Sequence, residues 1–340
     1  MLFSFYFISG PLFYFRSPVL SFRPFICLFS FISELDRAVS QLVRGGITTN
    51  TRATYSAAIK KYSIFCRIYA LQPLPVTGSN AIRFVAYCAS QALSVSTVRV
   101  YLAGLRSWSI DLGLPPPDLY TPQMIQAIRC MDRHYTPARA PPILYQHLLS
   151  FYFRAHFSRD NLMSITAMSL AFFACLRPAE YLLTRGTTRP PTRKDVQFSQ
   201  DFSSLDFTVT SSKTNPKGFT VHLGCSQSAV CAVCLLRALF QRFPAPPTSF
   251  LFLTPSNTPM SYTYLTNKMH ALLSLVGVHP APYTLHSLRA GAATTAAATG
   301  CSEDQIQKLG RWSSDCYRRY IRPSKKEQAA LAPRLATSLH

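Results

Sequence analysis

Apolar residues recur at intervals of three and four along most of this chain. In "TRATYSAAIKKYSIFCRIYA", Tyr55, Ile59, Tyr62, Cys66 and Tyr69 share one face, which predicts an amphipathic helix. "SNAIRFVAYCASQAL" continues the pattern. "SVSTVRVYLAGLRSWSIDLG" predicts a further helix, capped by Ser96, striped by Val98, Leu102, Leu105 and Leu112, and ended by Gly113. One more helix around "PQMIQAIRCMDRHY" completes a small all-helical unit, expected over residues 36–140. "TPARAPP" at 136–142 has the composition of a linker.

The pattern then changes. "NLMSITAMSLAFFAC" is apolar nearly all round and predicts a deeply buried helix with Asp160 as its cap. Pro178 suits the first turn of the next helix, "PAEYLL". Leu205, Phe207 and Val209 alternate with polar residues, as do Phe219, Val221 and Leu223, with "NPKG" between the runs. Period two on either side of such a turn predicts a β-hairpin. "YTYLTNKMHALLSLVG", "LHSLRAGAATTAAATG", "SEDQIQKLGRW" and the stretch after it read as helical. The expected fold is therefore mainly α with a small hairpin, in two parts: residues 36–140 and 141–340.

The leading segment, 1–35, stands apart. It is dense in phenylalanine, and Arg16, Pro18, Arg23 and Pro24 interrupt its apolar run. Neither the positive start nor the small-residue cleavage site of a signal peptide is clear in it, and membrane anchoring is a minor reading. It is read as an appendage outside the fold.

Charge narrows the function. Lys and Arg number 35 against 14 Asp and Glu, a net +21 over 340 residues. The excess is spread along the chain, so each part favours a polyanion, nucleic acid first. Arg99 and Arg106 share a helix face that could follow phosphates, though a solvated face explains them equally well. The ten cysteines are scattered, most in apolar surroundings of a reducing compartment. His222, Cys225, Cys231 and Cys234 are zinc-ligand types, and Cys231-x-x-Cys234 has ligand spacing. "VCAVCLLRALFQRF" begins an apolar helix, however, so the pair is read as buried core residues and no metal is expected.

Cutting DNA with side chains alone needs a nucleophile, cations on the non-bridging oxygens, and an acid for the leaving oxygen. "ACLRPAE" places Arg177 directly after a buried helix, where a guanidinium needs an anionic partner; Glu180 could orient it, or the two could be a plain helix pair. "LHSLRAG" puts His286 and Arg289 on one helix face. "GRWSSDCYRRY" adds an indole and two phenols.

Taken in order, these pieces resemble the tyrosine recombinase (phage integrase) family, over about residues 45–325. The matching positions are Arg177 in "LRPAE", Lys213 in "SSKTNPKG", His286 and Arg289 in "LHSLRAG", Trp312 in "LGRW" and Tyr320 in "YRRYIR". The wording looks most like the eukaryotic branch carried by DIRS-type and Crypton mobile elements. Tyr320 lies eight residues after Trp312 and Tyr317 five; the family's usual spacing is one residue longer than the first, so Tyr320 is the expected nucleophile and Tyr317 its competitor.

The resemblance implies a helical, SAM-like core-binding domain that clamps DNA, followed by an α+β catalytic domain. It implies strand cleavage and rejoining through a 3′-phosphotyrosine link, with neither ATP nor metal as cofactor. Arg177, Arg289 and Trp312 would hold the phosphate, His286 would assist proton transfer, and Lys213 would protonate the leaving oxygen. Lys217, in the turn, competes with Lys213 and otherwise joins Arg99, Arg106 and Arg311 as a DNA-backbone contact. Further implications are double-stranded DNA as partner, a homo-tetramer on two duplexes exchanging a C-terminal segment after Tyr320, and a nuclear location. Two rivals share these features: a domesticated DNA-binding protein that no longer cuts, and a type IB topoisomerase.

Overall fold

The computed structural model describes residues 26–134, 139–184, 189–210, 212, 215, 217–321 and 329. The chain divides into two compact units, Met1–Tyr135 and Thr136–His340. Among its described residues the first has helices and no strand: α1 (Ile26–Gly45), α2 (Thr49–Ile68), α3 (Gly78–Ser90), α4 (Val95–Asp111) and α5 (Pro122–His134). α1 begins inside the leading segment set apart by composition, and its described apolar side chains, Leu35, Val39 and Leu42 among them, are exposed. Hydroxyls start the next three helices: Thr48, Thr77 and Ser94 accept the orphan N–H groups of Thr51, Asn80 and Thr97. Ser94 therefore caps α4 in place of the expected Ser96, which lies inside the first turn.

The buried face of α2 is Ala58, Tyr62, Phe65 and Cys66. It is rotated slightly from the anticipated stripe, because the helix stops at Ile68 and Tyr69 caps it from an exposed position. Leu112 is likewise an exposed cap, on α4. Tyr62 meets Phe84 edge-on at 5.2 Å, and Val98, Leu102, Leu105 and Met124 close this core.

The second unit is built round α7. It opens with α6 (Tyr145–Arg154), α7 (Arg159–Phe173) and α8 (Pro178–Tyr181), followed by β1 (Val196–Phe198), β2 (Ser204–Val209) and β3 (Phe219–Gly224). Then come α9 (Ala232–Arg242), α10 (Tyr262–Leu275), α11 (His286–Ala298), α12 (Glu303–Gly310) and a 3-10 turn, Asp315–Arg319. Every residue of α7 from Leu162 to Phe172 is buried, as a helix that is apolar nearly all round requires, and Ser164, Thr166 and Ser169 are buried with the rest. Its cap is Ser158, which accepts from the Asn161 N–H at 3.1 Å. Asp160, expected in that role, sits in the first turn and accepts the Tyr264 hydroxyl at 2.6 Å while pairing with Lys268.

α9 and α11 pack on α7. Every residue of α11 from Ser287 to Thr294 is buried, most of them small, with Leu288 and Arg289 the larger ones. The sheet is antiparallel in the order β1-β2-β3. The anticipated hairpin is present, with Leu205 opposite Leu223, Phe207 opposite Val221 and Val209 opposite Phe219. β1 was not foreseen: three residues are too few to show a period. At the hairpin end Gly218 has φ +78°, and a side chain there would strike the Val209 carbonyl. Among the described residues, no helix is long and apolar enough to cross a membrane.

Candidate active site

The ends of four elements converge in the second unit. Arg177 caps α8 in extended backbone conformation. Its backbone N–H donates to one oxygen of Glu180 at 2.8 Å and its Nη1 to the other at 3.0 Å. The helix starts here because Pro178 has no N–H to satisfy and Glu180 reaches back to the cap. Glu180 is buried, and Arg311 Nη2 approaches it at 3.5 Å. A buried carboxylate is tolerable in this setting only because two guanidinium groups face it.

Arg289, on α11, is completely buried. Its Nη1 donates to the Cys175 carbonyl and its Nη2 to the Gly310 carbonyl at 2.5 Å, while Nε has no partner among the described residues. The guanidinium carbon lies 4.4 Å from the Trp312 ring centroid and 5.7 Å from that of Tyr320. Among the described residues it has no ion pair with a carboxylate.

Trp312 reaches this position through the end of α12. Arg311 takes the left-handed conformation, φ 55° and ψ 43°, and the chain turns back so that the indole lies over Gly310. A Cβ at Gly310 would stand 1.9 Å from the Trp312 ring, so glycine is needed there for space. Arg311 was expected to face DNA, but its guanidinium turns inward. It donates to the carbonyls of Ala174, Leu309 and Cys175 and covers the Phe219 ring at 4.4 Å. Burial lowers its pKa, an effect offset by Glu180 and reinforced by Arg289 and Arg177.

His286, the first residue of α11, keeps surface exposure. Its imidazole nevertheless titrates below the ordinary histidine value, first through desolvation by the protein around it and then through Arg289 and Arg177. The cluster thus holds three guanidinium groups and one histidine against Glu180 alone among the described residues.

The two tyrosines separate by burial. Tyr317 is 1% exposed; the Arg318 Nε points at its hydroxyl from 3.5 Å, and Glu303 also hydrogen-bonds it. Tyr320 caps the 3-10 turn, half-buried, with its ring 5.2 Å from Trp312, and its backbone carbonyl accepts from Thr294 at 3.1 Å. Both rings lie against Trp312, carried by a 3-10 turn rather than an α-helix.

Other anticipated residues lie elsewhere. Lys213 falls outside the described residues. Lys217 is exposed in the turn, its N–H bonded to the Asn215 side chain. The stretch after Ile321 is outside the described residues except for position 329. In the first unit Arg99 and Arg106 are exposed on α4, with Arg99 paired to Asp132 at 2.5 Å. Sequence reasoning missed the tasks of Gly310 and of the inward Arg311. A glycine immediately before an arginine and a tryptophan was the only available signal.

The cysteines depart from expectation too. Cys231 is buried, but Cys234 is exposed and Cys225 intermediate, and the three sulfurs lie within 4.8 Å of one another. His222 stays out of the group: its Nδ1 is 2.5 Å from Asp206 Oδ1.

No protein-family model and no curated protein sequence matches the chain. Solved structures do. The site-specific recombinase XerH, in a pre-cleavage complex with its difH substrate, matches at 17% identity and TM-score 0.55, over 83% of this chain and 78% of that one. A lambda integrase dimer on a COC′ core site matches at 16% identity and TM-score 0.59, over 87% and 96%. The Tn1549 transposon integrase with circular-intermediate DNA matches at 16% identity and TM-score 0.54, over 87% and 97%. Mostly helical with a small three-stranded antiparallel sheet, the chain has the fold of the tyrosine recombinases.

Proposed function

We propose that this protein cleaves and rejoins DNA strands, with Tyr320 as nucleophile. The observation that carries the reading is the buried guanidinium of Arg289 beside Trp312 and Tyr320. Arg289 is buried with carbonyl partners, an orphan Nε and no carboxylate among the described residues. Such a charge is costly unless an anion completes it. A phosphodiester is the anion that matches forked donors, and the solved structures of this fold include DNA complexes.

In this reading the Tyr320 oxygen attacks the scissile phosphorus, and its proton passes to neutral His286. A bond forms between Tyr320 and the phosphorus, and the bond to the 5′ oxygen breaks. Lys213, by resemblance, protonates that oxygen, leaving a 3′-phosphotyrosine and a free 5′-hydroxyl. Arg177 and Arg289 hold the non-bridging oxygens with bidentate donors, and Trp312 lends its indole N–H. A 5′-hydroxyl from a second strand reverses the steps, and the energy of the phosphodiester is kept. Glu180 fixes Arg177 and Arg311 in place.

The finer assignments follow from the sequence resemblance. The helical unit would clamp DNA, four chains would assemble on two duplexes, and the gene would belong to a DIRS-type or Crypton-like element acting in the nucleus. The test is a nicked duplex carrying the gene's flanking genomic sequence, incubated with the full chain. A covalent protein–DNA band stable in denaturant supports the reading, and its absence on every flank tested counts against it.

A further inference from the structure

The three-cysteine group lies outside the chemistry just described, and its geometry is specific. Cys225 and Cys234 Sγ are 3.3 Å apart, and Cys225 and Cys231 Sγ 3.7 Å. Zinc–sulfur bonds of ~2.3 Å in a tetrahedron set sulfur–sulfur edges of about 3.8 Å. The sulfurs are thus close to the separation a single ion would impose, and all lie within 4.8 Å of each other. Cys225 directly follows β3, Cys231 is the N-cap of α9, and Cys234 lies in its first turn.

The surroundings suit thiolates. The Ser226 backbone N–H is directed at Cys231 Sγ from 3.3 Å, and the backbone of Cys234 bonds the same sulfur. Backbone donors of this kind stabilise metal-bound thiolate, and the positive end of a helix adds to them. A disulfide would use two sulfurs and leave the third without a role, whereas one soft cation uses all three.

We propose that Cys225, Cys231 and Cys234 bind one zinc ion, with solvent in the fourth position. The ion clips the end of β3 to the start of α9 and so fixes the root of the hairpin. It takes no part in strand cleavage. His222, held by Asp206, is not a ligand.

The test is the metal content of the full chain, purified under reductant without chelator, followed by cobalt(II) exchange. About one zinc per chain is expected, together with the sulfur-to-cobalt charge-transfer band and intense visible bands of a tetrahedral thiolate site. Cys225→Ser and Cys234→Ser should each weaken zinc by at least the ~10–100-fold that even an outer partner costs. Cys301→Ser, at an exposed cysteine outside the group, and His222→Ala should keep the metal. If the cysteine variants fail to fold, the cobalt spectrum of the unaltered chain decides. A metal-free chain that does not take up added zinc or cobalt overturns the proposal. So do a Cys225–Cys234 disulfide under reductant, full zinc in both serine variants, or loss of zinc in His222→Ala. None of these outcomes bears on whether Tyr320 cuts DNA.

Discussion

The guanidinium of Arg289 lies under the indole of Trp312, 4.4 Å from the ring centroid, and both residues are buried. The arrangement joins α11 to the end of α12 and covers the cation that would hold a scissile phosphate. If Arg289 holds the phosphate as proposed, the indole gives up part of this stacking when DNA binds. The chain has two tryptophans, so a Trp108→Phe variant leaves Trp312 as the sole indole reporter. Its emission should shift on adding cognate duplex and stay unchanged with a duplex that the protein does not cut. An unchanged spectrum on cleavable DNA would mean that Arg289 is reached by another route.

Arg289→Lys separates charge from geometry. The ammonium keeps the positive charge but lacks the fork that spans the Cys175 and Gly310 carbonyls. Adduct formation should slow by roughly 10²-fold or more, the cost of losing one oriented donor to a reacting phosphate. A rate close to that of the unaltered chain would reduce Arg289 to a structural cation.

Gly310→Ala tests the packing that places Trp312. The added methyl would lie 1.9 Å from the ring, so the indole or the end of α12 must move. Overpacking of this sort costs about 1–3 kcal/mol, measurable as a lower denaturant midpoint at unchanged slope. Adduct yield should drop alongside it. Full stability with full yield would show that the turn after α12 can shift freely.

The pH dependence rests on His286. Desolvation, then Arg289 and Arg177, hold its pKa below the ordinary histidine value, so it is neutral at pH 7 and able to accept the Tyr320 proton. Cleavage should fall only as pH drops through that lowered folded-state value, giving an acid limb below the ordinary imidazole range. The stability term has the same sign. Between the ordinary value and the lowered one the unfolded chain binds the proton and the folded chain does not. This contribution is therefore present above the ordinary value and lost as pH falls through the folded one. His286→Gln should remove the acid limb; an unmoved limb would assign it to another group.

Much of this was legible in the sequence because it is local. The Arg177–Glu180 pair is one turn long, and the hairpin follows from alternation at Leu205, Phe207 and Val209. What escaped depends on distance or on fine backbone choice. Ser94 and Ser96 both suit a cap, and only the start of the turn decides between them. Nothing in "LGRW" says that Arg311 turns inward to Glu180 and the Cys175 carbonyl, since those partners come from α8 and the end of α7. The cysteine spacing suggested ligands, but the meeting of Cys225 with Cys231 and Cys234 needs the hairpin to return onto α9. Tyr317 and Tyr320 were separable by spacing only within the family pattern, whereas burial distinguishes them by physics.

The central claim is that Tyr320, not Tyr317, forms the bond to DNA. Tyr317 is 1% exposed, with its hydroxyl engaged by Arg318 and Glu303, while Tyr320 is half-buried against Trp312 and close to Arg289. The measurement is the covalent adduct on a nicked duplex of flanking sequence, made with the unaltered chain, Tyr320→Phe and Tyr317→Phe at equal DNA occupancy. The account predicts that Tyr320→Phe binds the duplex and forms no adduct, and that Tyr317→Phe still forms it. An adduct that survives Tyr320→Phe and disappears in Tyr317→Phe would contradict it.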